Sequence, residues 1–325
     1  MSRPRIAVTG RIPDAGLELL HEAGDVHAWD SLEVPTVDEV HAMVRGAHAV
    51  VTLLTTKVDD AFLDAAGPQL QVVANVAVGH NNIDVAACAR RGVVCTNTPG
   101  VLTEATADIA MALLLMVTRR LGEGERVIRS GTPWQWGMFY MLGSGVQGSQ
   151  LGIVGMGDIG KALARRAKAF GMTIAYSNRR PVPPAVEDEL GAQFMSMDEL
   201  LSTSDVVSLN CPYSPATHHL LGAAEFQNMK TSAFLVNTAR GPIVDEAALV
   251  EALRTGQIAG AGLDVFEHEP AVHPGLLSCE SAVLVPHLGS ATVETRSAMA
   301  RLAAHNAVNV LAGVEPPTPI PVPAG

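Results

Sequence analysis

Three charged or titratable side chains stand out in the second half of the chain because each follows a segment predicted to be a buried strand. Arg240 ends "VNTAR", Glu269 follows "GLDVFEH", and His287 follows "VLVP". Ligands of α/β proteins bind at the carboxyl ends of parallel strands. We therefore expect a guanidinium, a carboxylate and an imidazole to converge at one edge of a sheet.

These three groups suit hydride chemistry on a 2-oxo acid, which is an anion with an adjacent carbonyl. Arg240 can hold the carboxylate and the carbonyl oxygen, and so fix the face presented to the hydride donor. Protonated His287 can supply the proton while negative charge grows on the carbonyl oxygen. Glu269 can bond the other ring nitrogen, orient the ring and favour its charged form. In the reverse oxidation, neutral His287 would act as the base.

Each of these residues also has a structural alternative. An arginine at a strand end can be a surface ion-pair partner, and His287, which follows Pro286, can cap the next helix. Glu267 lies two residues before Glu269 and competes with it for the same role. We take Arg240, Glu269 and His287 as the catalytic candidates.

The remaining histidines and the cysteines are predicted to be structural. His218 and His219 follow "SPAT" and indicate a solvated loop, His273 indicates a surface residue, and His80 is a weaker candidate for the rim of the site. No cluster has the spacing of metal ligands, so no metal site is predicted. The absence of a C-x-x-C pair predicts reduced thiols. The four cysteines are Cys88, Cys95, Cys211 and Cys279.

A glycine turn predicts the cofactor site. Gly155, Gly157 and Gly160 form G-x-G-x-x-G between an apolar strand and an alanine-rich helix, the context typical of a dinucleotide-binding fold. The three glycines permit the tight turn, the approach of a pyrophosphate, and close helix–strand packing. The amides of Asp158 and Ile159 would face the phosphates at the helix N-terminus.

The end of the next strand predicts which nicotinamide cofactor is preferred. NAD enzymes place an acidic residue there, whereas this chain has Ser177, Asn178, Arg179 and Arg180. Small polar groups with guanidinium groups match a 2′-phosphate, so we predict a preference for NADP(H), with Arg179 as the better candidate. The alternative is that both arginines are solvated and NAD(H) is used. Asp158 beside a pyrophosphate is unfavourable unless its side chain points to solvent.

The elements that position these residues form two series of alternating strands and helices. Strand-like segments such as "RIAVTG", "AHAVVTLL" and "LQVVANVAVG" alternate with helical ones over the first hundred residues, and the alternation restarts at residue 151. This pattern predicts an α/β fold with helices covering parallel sheets. We predict two doubly wound, Rossmann-like or flavodoxin-like, parallel-sheet domains.

The glycine turn in the middle of the chain predicts that one domain is inserted into the other. A helical stretch from Thr103 to Arg120 precedes the second series, and the helical segment "TVETRSAMARLAAHNAVNVLAG" follows it. We predict a discontinuous substrate-binding domain at residues 1–101 and 291–325, and an NAD(P)-binding Rossmann domain at residues 102–290. The proline-rich end is predicted to be an extended tail.

Composition limits the partners. The chain of 325 residues is 48% hydrophobic and 17% charged, with a formal net charge of −11. A net negative charge disfavours nucleic acids and anionic membranes, which need a basic face. The longest apolar run is far shorter than the roughly 20 residues that a membrane-spanning helix needs. We expect a soluble cytoplasmic protein.

Six segments carry a family resemblance, and they occur in the family's order: "VANVAVGHNNIDV", "TEATADIAMALLL", "GIVGMGDIG", "NTARGPIVDE", "GLDVFEHEP" and "PHLGSAT". Through them nearly the whole chain resembles the D-2-hydroxyacid dehydrogenases, and within that family the glyoxylate/hydroxypyruvate reductases. The resemblance implies NAD(P)H-dependent reduction of glyoxylate or hydroxypyruvate to a D-2-hydroxy acid. It also implies that Arg240, Glu269 and His287 are the catalytic residues.

The resemblance implies further site residues and a partner. Implied cofactor contacts beyond the glycine turn and residues 177–180 are Thr106, Cys211, Pro212, Thr217, Thr238, Ala239, Asp264 and Gly289. Implied substrate contacts, besides Arg240 and His287, are Leu54, Val78, Gly79 and Ser290. Members of the family are commonly homodimers joined through the cofactor domain and its arm, and Tyr140 lies near the position of an aromatic residue that closes the neighbouring subunit's site.

Two features depart from the family pattern, and two alternative functions stay open. Asp158 stands where the family more often has arginine, and the arm "WQWGMFYMLG" differs from that of the reductases. One alternative is a D-2-hydroxyacid dehydrogenase with another substrate, such as phosphoglycerate, D-lactate, a bulky oxo acid or phosphite. The other is a non-catalytic protein that senses NAD(H), like the corepressors of this fold.

Overall fold

The computed structural model describes residues 3–322, and these form two compact units. One unit holds residues 3–102 and 291–322, and the other holds Thr103–Ser290. The second unit is therefore an insertion in the sequence of the first. The predicted substrate-binding domain also includes residues 1–2 and 323–325, which lie outside the described residues.

The first unit is built on a parallel sheet of five strands in the order β2-β1-β3-β4-β5. Its strands are β1 (Arg5–Val8), β2 (Asp25–Ala28), β3 (Ala49–Thr52), β4 (Val72–Asn75) and β5 (Val94–Thr96). Its connecting helices are α1 (Asp14–Ala23), α2 (Val37–Val44), α3 (Asp60–Ala66) and α4 (Val85–Arg90). The central strands β3 and β4 are buried along their whole length, which explains their continuous runs of valine and alanine. This strand order is the flavodoxin-like one.

The second unit is built on a parallel sheet of seven strands in the order β12-β11-β10-β9-β6-β7-β8. Its strands are β6 (Gln150–Val154), β7 (Thr173–Ser177), β8 (Ala192–Phe194), β9 (Val206–Leu209), β10 (Phe234–Asn237), β11 (Gly260–Leu263) and β12 (Ala282–Leu284). Its helices are α5 (Thr103–Thr118), α6 (Leu121–Arg129), α7 (Asp158–Ala169), α8 (Pro184–Leu190), α9 (Met197–Thr203), α10 (Ala223–Asn228), α11 (Glu246–Arg254) and α12 (Pro274–Leu277). The order is that of a Rossmann fold with a switch point between β6 and β9, where such sheets bind ligands. The prediction of two parallel-sheet α/β domains is confirmed.

Both faces of the second sheet are covered. On one face, Leu113 of α5 and Leu163 of α7 pack with Ile153 of β6, and all three are fully buried or nearly so. On the other face, Leu200 of α9 and Leu249 of α11 belong to a separate fully buried cluster. Each such leucine or isoleucine contributes roughly 1.5–3 kcal/mol through burial. The carboxyl ends of the strands are thereby held in fixed positions.

Helix α5 ends two residues earlier than the sequence predicts. Thr118 is its last residue, because Arg120 adopts the left-handed backbone conformation with φ of 53°. The guanidinium of Arg120 bonds Glu123 at the start of α6, at 2.8 and 2.7 Å, instead of the last carbonyls of α5. A second, separate helix, α6, follows after this turn.

The chain returns to the first unit through α13 (Val293–Leu311). This helix begins after Thr292, whose side chain accepts the N–H of Thr295 at 3.0 Å. Its fully buried alanines allow a close approach to α1, where a methyl group on Gly16 would meet the carbonyl of Ala300. Beyond α13, Ile320 of the predicted tail donates its N–H to the carbonyl of Cys95 in β5.

Residues 130–149, here named the aromatic arm, connect α6 to β6 without helix or strand. Trp136, Met138 and Phe139 are between 72% and 88% exposed. The rings of Trp134 and Tyr140 stack with centroids 6.2 Å apart. The arm thus presents a local apolar surface. Among residues 3–322, no helix combines the length and the apolar character needed to cross a membrane.

Candidate active site

The glycine turn joins β6 to α7 in the predicted geometry. Gly155 has φ of +98°, and a methyl group there would lie 2.6 Å from the backbone nitrogen of Cys211. A methyl group on Gly160 would lie 2.5 Å from the carbonyl oxygen of Gly155, so the helix packs closely on the strand. A methyl group on Gly157 would meet no atom within 4 Å. Open space therefore faces the second glycine, at the amino end of a helix, which is what a bound pyrophosphate needs.

Asp158, the first residue of α7, has a solvent-exposed side chain. Its side chain is 74% exposed and forms an ion pair of 3.0 Å with Lys161. Ile159, the next residue, also lies in the first turn of the helix. Because the Asp158 carboxylate is solvated and balanced by a lysine, it adds little repulsion to an anion at the helix N-terminus.

The segment after β7 has two different parts. Ser177 and Asn178 are tied to the glycine turn, since the Ser177 carbonyl accepts the N–H of Gly155 at 3.0 Å and the Asn178 side chain accepts the N–H of Met156 at 2.8 Å. Arg179 and Arg180 are exposed. In the described part of the chain, neither guanidinium forms an ion pair or a hydrogen bond. Two uncompensated positive charges therefore lie beside the glycine turn.

The loop after β9 holds three predicted cofactor contacts. Thr217 closes the loop, because its hydroxyl donates to the carbonyl of Pro212 at 2.9 Å and accepts the N–H of Ser214 at 2.8 Å. Burial raises the pKa of the Cys211 thiol to about 11, with a backbone hydrogen bond opposing it in part. Cys211 is therefore a neutral apolar group and not a nucleophile at neutral pH.

The turn after β10 carries Arg240. Asn237 shapes this turn, since its side chain accepts the N–H of Ala239 and donates to the carbonyl of Arg240, both at 3.0 Å. Burial lowers the pKa of Arg240, and the negative charge of Glu269 opposes that effect. The hydroxyl of Thr238 is buried, and within residues 3–322 it has no hydrogen-bond partner. A buried hydroxyl without a partner costs free energy unless a ligand satisfies it.

Glu269 and His287 form a hydrogen-bonded pair. Oε2 of Glu269 lies 2.8 Å from Nδ1 of His287, and Oε1 accepts the N–H of Phe266 at 3.0 Å. Burial acts to raise the pKa of Glu269, but the hydrogen bond and charge of His287, the Phe266 N–H and the charge of Arg240 together lower it below its ordinary value. Both side chains of the pair remain 35% exposed, so Nε2 of His287 can reach a ligand.

Asp264 holds the turn that carries His287. Its carboxylate accepts the N–H groups of Leu288 at 2.5 Å and Gly289 at 2.8 Å, and its carbonyl accepts the N–H of His287 at 2.9 Å. Burial raises the pKa of Asp264, and these two amide hydrogen bonds oppose that effect. His287 itself adopts a left-handed backbone conformation with φ of 53°, which is uncommon for a residue with a side chain. Asp264 therefore stabilises an unusual turn, a role that its sequence motif does not reveal.

The rest of the second unit's predicted residues surround this turn. The Thr106 hydroxyl donates to the carbonyl of Gly289 at 3.1 Å, so α5 is tied to the same turn. Ser290 follows and is half-buried. Glu267, the competitor of Glu269, does not bond His287, because its carboxylate lies 2.7 Å from the ring of His219. In residues 3–322, no group of three or more histidine, cysteine or acidic side chains could hold a metal ion.

Three predicted substrate contacts lie in the first unit, after β3 and β4. The carbonyls of Val78 and Gly79 accept side-chain N–H groups of Asn97 at 2.8 Å and Asn75 at 3.0 Å. Their own amides donate to no protein group in the part of the chain that the structure describes. Leu54 lies just after β3 and is half-buried. The loop is therefore fixed through its carbonyls while two N–H groups stay available.

Comparison with known proteins identifies the family. Residues 111–289 match the family described as D-isomer specific 2-hydroxyacid dehydrogenase, NAD binding domain. A glyoxylate reductase from Thermococcus onnurineus is 47% identical over 321 residues, which cover 97% of this chain and 95% of that protein. A glyoxylate reductase from Thermococcus litoralis is 45% identical over 320 residues, with coverages of 97% and 96%.

Solved structures agree with this result. The TT0316 protein from Thermus thermophilus has a TM-score of 0.91 at 44% identity, with 98% of this chain and 100% of that chain covered. An NADPH-dependent glyoxylate/hydroxypyruvate reductase from Sinorhizobium meliloti, in complex with NADP and malonate, has a TM-score of 0.85 at 37% identity, with coverages of 98% and 97%. The chain belongs to the family of D-isomer-specific 2-hydroxyacid dehydrogenases, oxidoreductases that work with a nicotinamide cofactor.

Proposed function

We propose that this protein reduces glyoxylate and hydroxypyruvate with NAD(P)H and that it forms 2-hydroxy acids of the D configuration where the product is chiral. The observation that carries the proposal is the 2.8 Å contact between Glu269 and His287, which leaves Nε2 of the ring available. Relatives named as glyoxylate reductases at 45–47% identity support the choice of substrate.

In this mechanism each residue has one task, and the bound cofactor supplies the hydride. Arg240 binds the carboxylate and the carbonyl oxygen of the substrate and polarises the carbonyl. His287 gives its Nε2 proton to that oxygen as the alcohol forms. Glu269 holds the ring by Nδ1 and stabilises its positive charge before transfer. Asp264 keeps the imidazole turn in place.

We further propose that the loop after β4 binds the substrate carboxylate. The amides of Val78 and Gly79 are the free N–H groups described above, and backbone amides are good donors to an anion. Leu54 and Ser290 would complete the substrate contacts. Around the cofactor, the unpartnered hydroxyl of Thr238 supports a polar contact there, and the family resemblance supports the remaining proposed contacts: Thr106, Cys211, Pro212, Thr217, Ala239, Asp264 and Gly289.

The test of this function is a set of steady-state rates for glyoxylate, hydroxypyruvate, pyruvate and phenylpyruvate, each with NADPH and with NADH, followed by nicotinamide absorbance. We expect the highest kcat/KM with glyoxylate or hydroxypyruvate. If the reduced cofactor is oxidised only with a bulky oxo acid, that acid would replace glyoxylate and hydroxypyruvate as the assigned substrate. Cofactor binding without turnover of any oxo acid would favour the non-catalytic alternative.

We also propose that NADP(H) is preferred, because Arg179 and Arg180 have no other partner in residues 3–322 and can bind a 2′-phosphate. Arg179→Ala should raise the dissociation constant of NADPH about tenfold or more, since a charge-assisted hydrogen bond contributes roughly 1.5–3 kcal/mol. The dissociation constant of NADH should change little. Arg180→Ala, at the second candidate, should have the smaller effect. Equal weakening of both cofactors by Arg179→Ala would contradict the 2′-phosphate role.

Finally, we propose a homodimer in which the aromatic arm contacts the second copy. The exposed side chains of Trp136, Met138 and Phe139 support this proposal, because a cluster of large exposed apolar groups marks an interaction site. Tyr140, in the same arm, is our candidate for a residue near the partner's substrate.

A further inference from the structure

A second group of titratable side chains lies beside the candidate active site and has no part in the mechanism above. Nε2 of His219 lies 2.7 Å from Oε1 of Glu267, and Glu267 is two residues before Glu269. The Glu267 side chain is 17% exposed, and that of His219 is 36% exposed. The pair is partly shielded from water, where a charged hydrogen bond keeps more of its strength than on an open surface.

Glu267 is also anchored to the amino end of α11. Its backbone N–H donates to Oε1 of the buried Glu246 at 2.8 Å, and its own Oε2 accepts the N–H of Glu246 at 3.4 Å. The first N–H groups of a helix have no partner within it and favour a nearby carboxylate. Glu267 is thus held through both its backbone and its side chain.

The turn that follows Arg240 packs against the backbone at Glu267. A methyl group on Gly241 would collide with the carbonyl of Phe266 and the backbone nitrogen of Glu267. The backbone N–H of His219 donates to the carbonyl of Pro242 at 2.9 Å. His219 therefore holds the arginine turn with its main chain and holds Glu267 with its ring.

The ring of His219 is confined to this orientation. Its backbone has φ of 49°, and the ring of His218 stacks on it with centroids 4.0 Å apart. The hydroxyl of Tyr213 lies 3.4 Å from Nδ1 of His218. His218 therefore stacks on one member of the pair, and Glu246 bonds the other.

We propose that the His219–Glu267 pair is a positioning device that keeps the Arg240 turn and the Glu269 loop in fixed positions relative to each other. The N–H of Phe266, next to Glu267, donates to the carboxylate of Glu269, so a displaced Glu267 moves the group that orients the catalytic imidazole. The inference rests on the proposed function, since the pair itself contacts no reacting atom.

The kinetic test compares His219→Ala, Glu267→Ala and the double variant with the wild-type holoenzyme. Glu251→Ala is the matched control, because Glu251 forms an exposed ion pair of 2.7 Å with Arg254 on the same helix α11. We expect kcat with glyoxylate and NADPH to fall about tenfold in each single variant, while the dissociation constant of NADPH stays within about twofold. The double variant should lose no more than the single ones, because the two residues act as a unit. His219→Gln, which retains an N–H donor, should recover most of kcat.

Amide hydrogen exchange measures the same positioning without turnover. Exchange in residues 240–244 and 264–269 should accelerate in both single alanine variants and stay at the wild-type rate in Glu251→Ala. This exchange pattern in a protein that reduces no oxo acid would support the pair while removing the proposed function. Unchanged kcat and exchange in the single variants, or additive losses in the double variant, would overturn the positioning role.

Discussion

At the scale of single residues, the site depends on a carboxylate that stays ionised although it is partly buried. Burial opposes the charge of Glu269, and the contact with His287, the N–H of Phe266 and the charge of Arg240 together outweigh this effect. Burial lowers the pKa of Arg240, but a guanidinium stays protonated in proteins. At neutral pH the site therefore holds a guanidinium and an imidazole beside one charged carboxylate, which is the arrangement needed to bind and protonate an anionic carbonyl compound.

The first prediction concerns Glu269→Gln. The neutral amide cannot stabilise a charged imidazole, so kcat for reduction should fall about 100-fold. The folded pKa of Glu269 lies below its ordinary value of 4.5, so its stabilising contribution is complete above the unfolded pKa and is lost as the pH falls through the folded pKa.

Urea unfolding at several pH values tests whether the stabilising contribution of Glu269 falls as the pH is lowered. The difference in unfolding free energy between the wild type and Glu269→Gln should narrow as the pH falls below about 5. A difference that stays the same down to strongly acidic pH would contradict an ionised Glu269 in the folded protein.

At the scale of elements, neighbouring strand ends bring the chemistry together. The turns after β10, β11 and β12 carry Arg240, Asp264 with Glu269, and His287, and these three strands are adjacent in the sheet. Parallel pairing of β10 with β11 and of β11 with β12 puts all three carboxyl ends on one side. Asp264 then links two of these turns, because its carboxylate accepts hydrogen bonds from the N–H groups of Leu288 and Gly289, which follow His287.

The prediction at this scale is that Asp264→Asn disturbs the His287 turn. An amide offers only one acceptor oxygen, so the N–H of Leu288 or Gly289 loses its partner. The unfolding free energy should fall by about 1–3 kcal/mol, and kcat should fall about tenfold. Urea denaturation and steady-state rates measure the two effects. Asp198→Asn, in the exposed first turn of α9, is the control and should change neither. If Asp264→Asn is as stable as the wild type, Asp264 does not stabilise the turn that carries His287.

At the scale of the whole molecule, the two units divide the candidate site residues. The second unit carries the glycine turn and the Arg240, Glu269 and His287 set, and the first carries the loop with Val78 and Gly79. The aromatic arm belongs to the second unit and leaves large apolar side chains in contact with solvent. Such a surface is costly in an isolated chain, which supports the proposal of a second copy.

The corresponding prediction is tested by sedimentation. The wild-type protein should sediment with twice the mass of one chain, and a Trp136→Asp/Phe139→Asp double variant with the mass of one. Buried charges without partners strongly disfavour an interface. Phe170→Asp, which changes an aromatic residue that is 47% exposed at the end of α7, should remain a dimer. A double variant that stays dimeric would place the interface elsewhere.

Local patterns in the sequence were enough to predict the two parallel sheets, the glycine turn and the location of Arg240, Glu269 and His287 after strands. These patterns work because burial periodicity and backbone sterics act over a few residues. Local sequence also carries the start of α2, where Thr36 and Glu39 form a capping box. The early end of α5 was missed, because it depends on the conformation of Arg120.

Tertiary structure alone decided which polar groups meet. Whether Glu267 or Glu269 bonds His287 depends on the path of the loop after β11, since both residues stand in the same short motif. The bond from Asp264 to the turn after β12, and that from His219 to Glu267, join residues 24 to 48 positions apart in the chain. Hydrogen bonds act over about 3 Å, so such pairings follow from how the strands are arranged in the sheet and are invisible in local sequence.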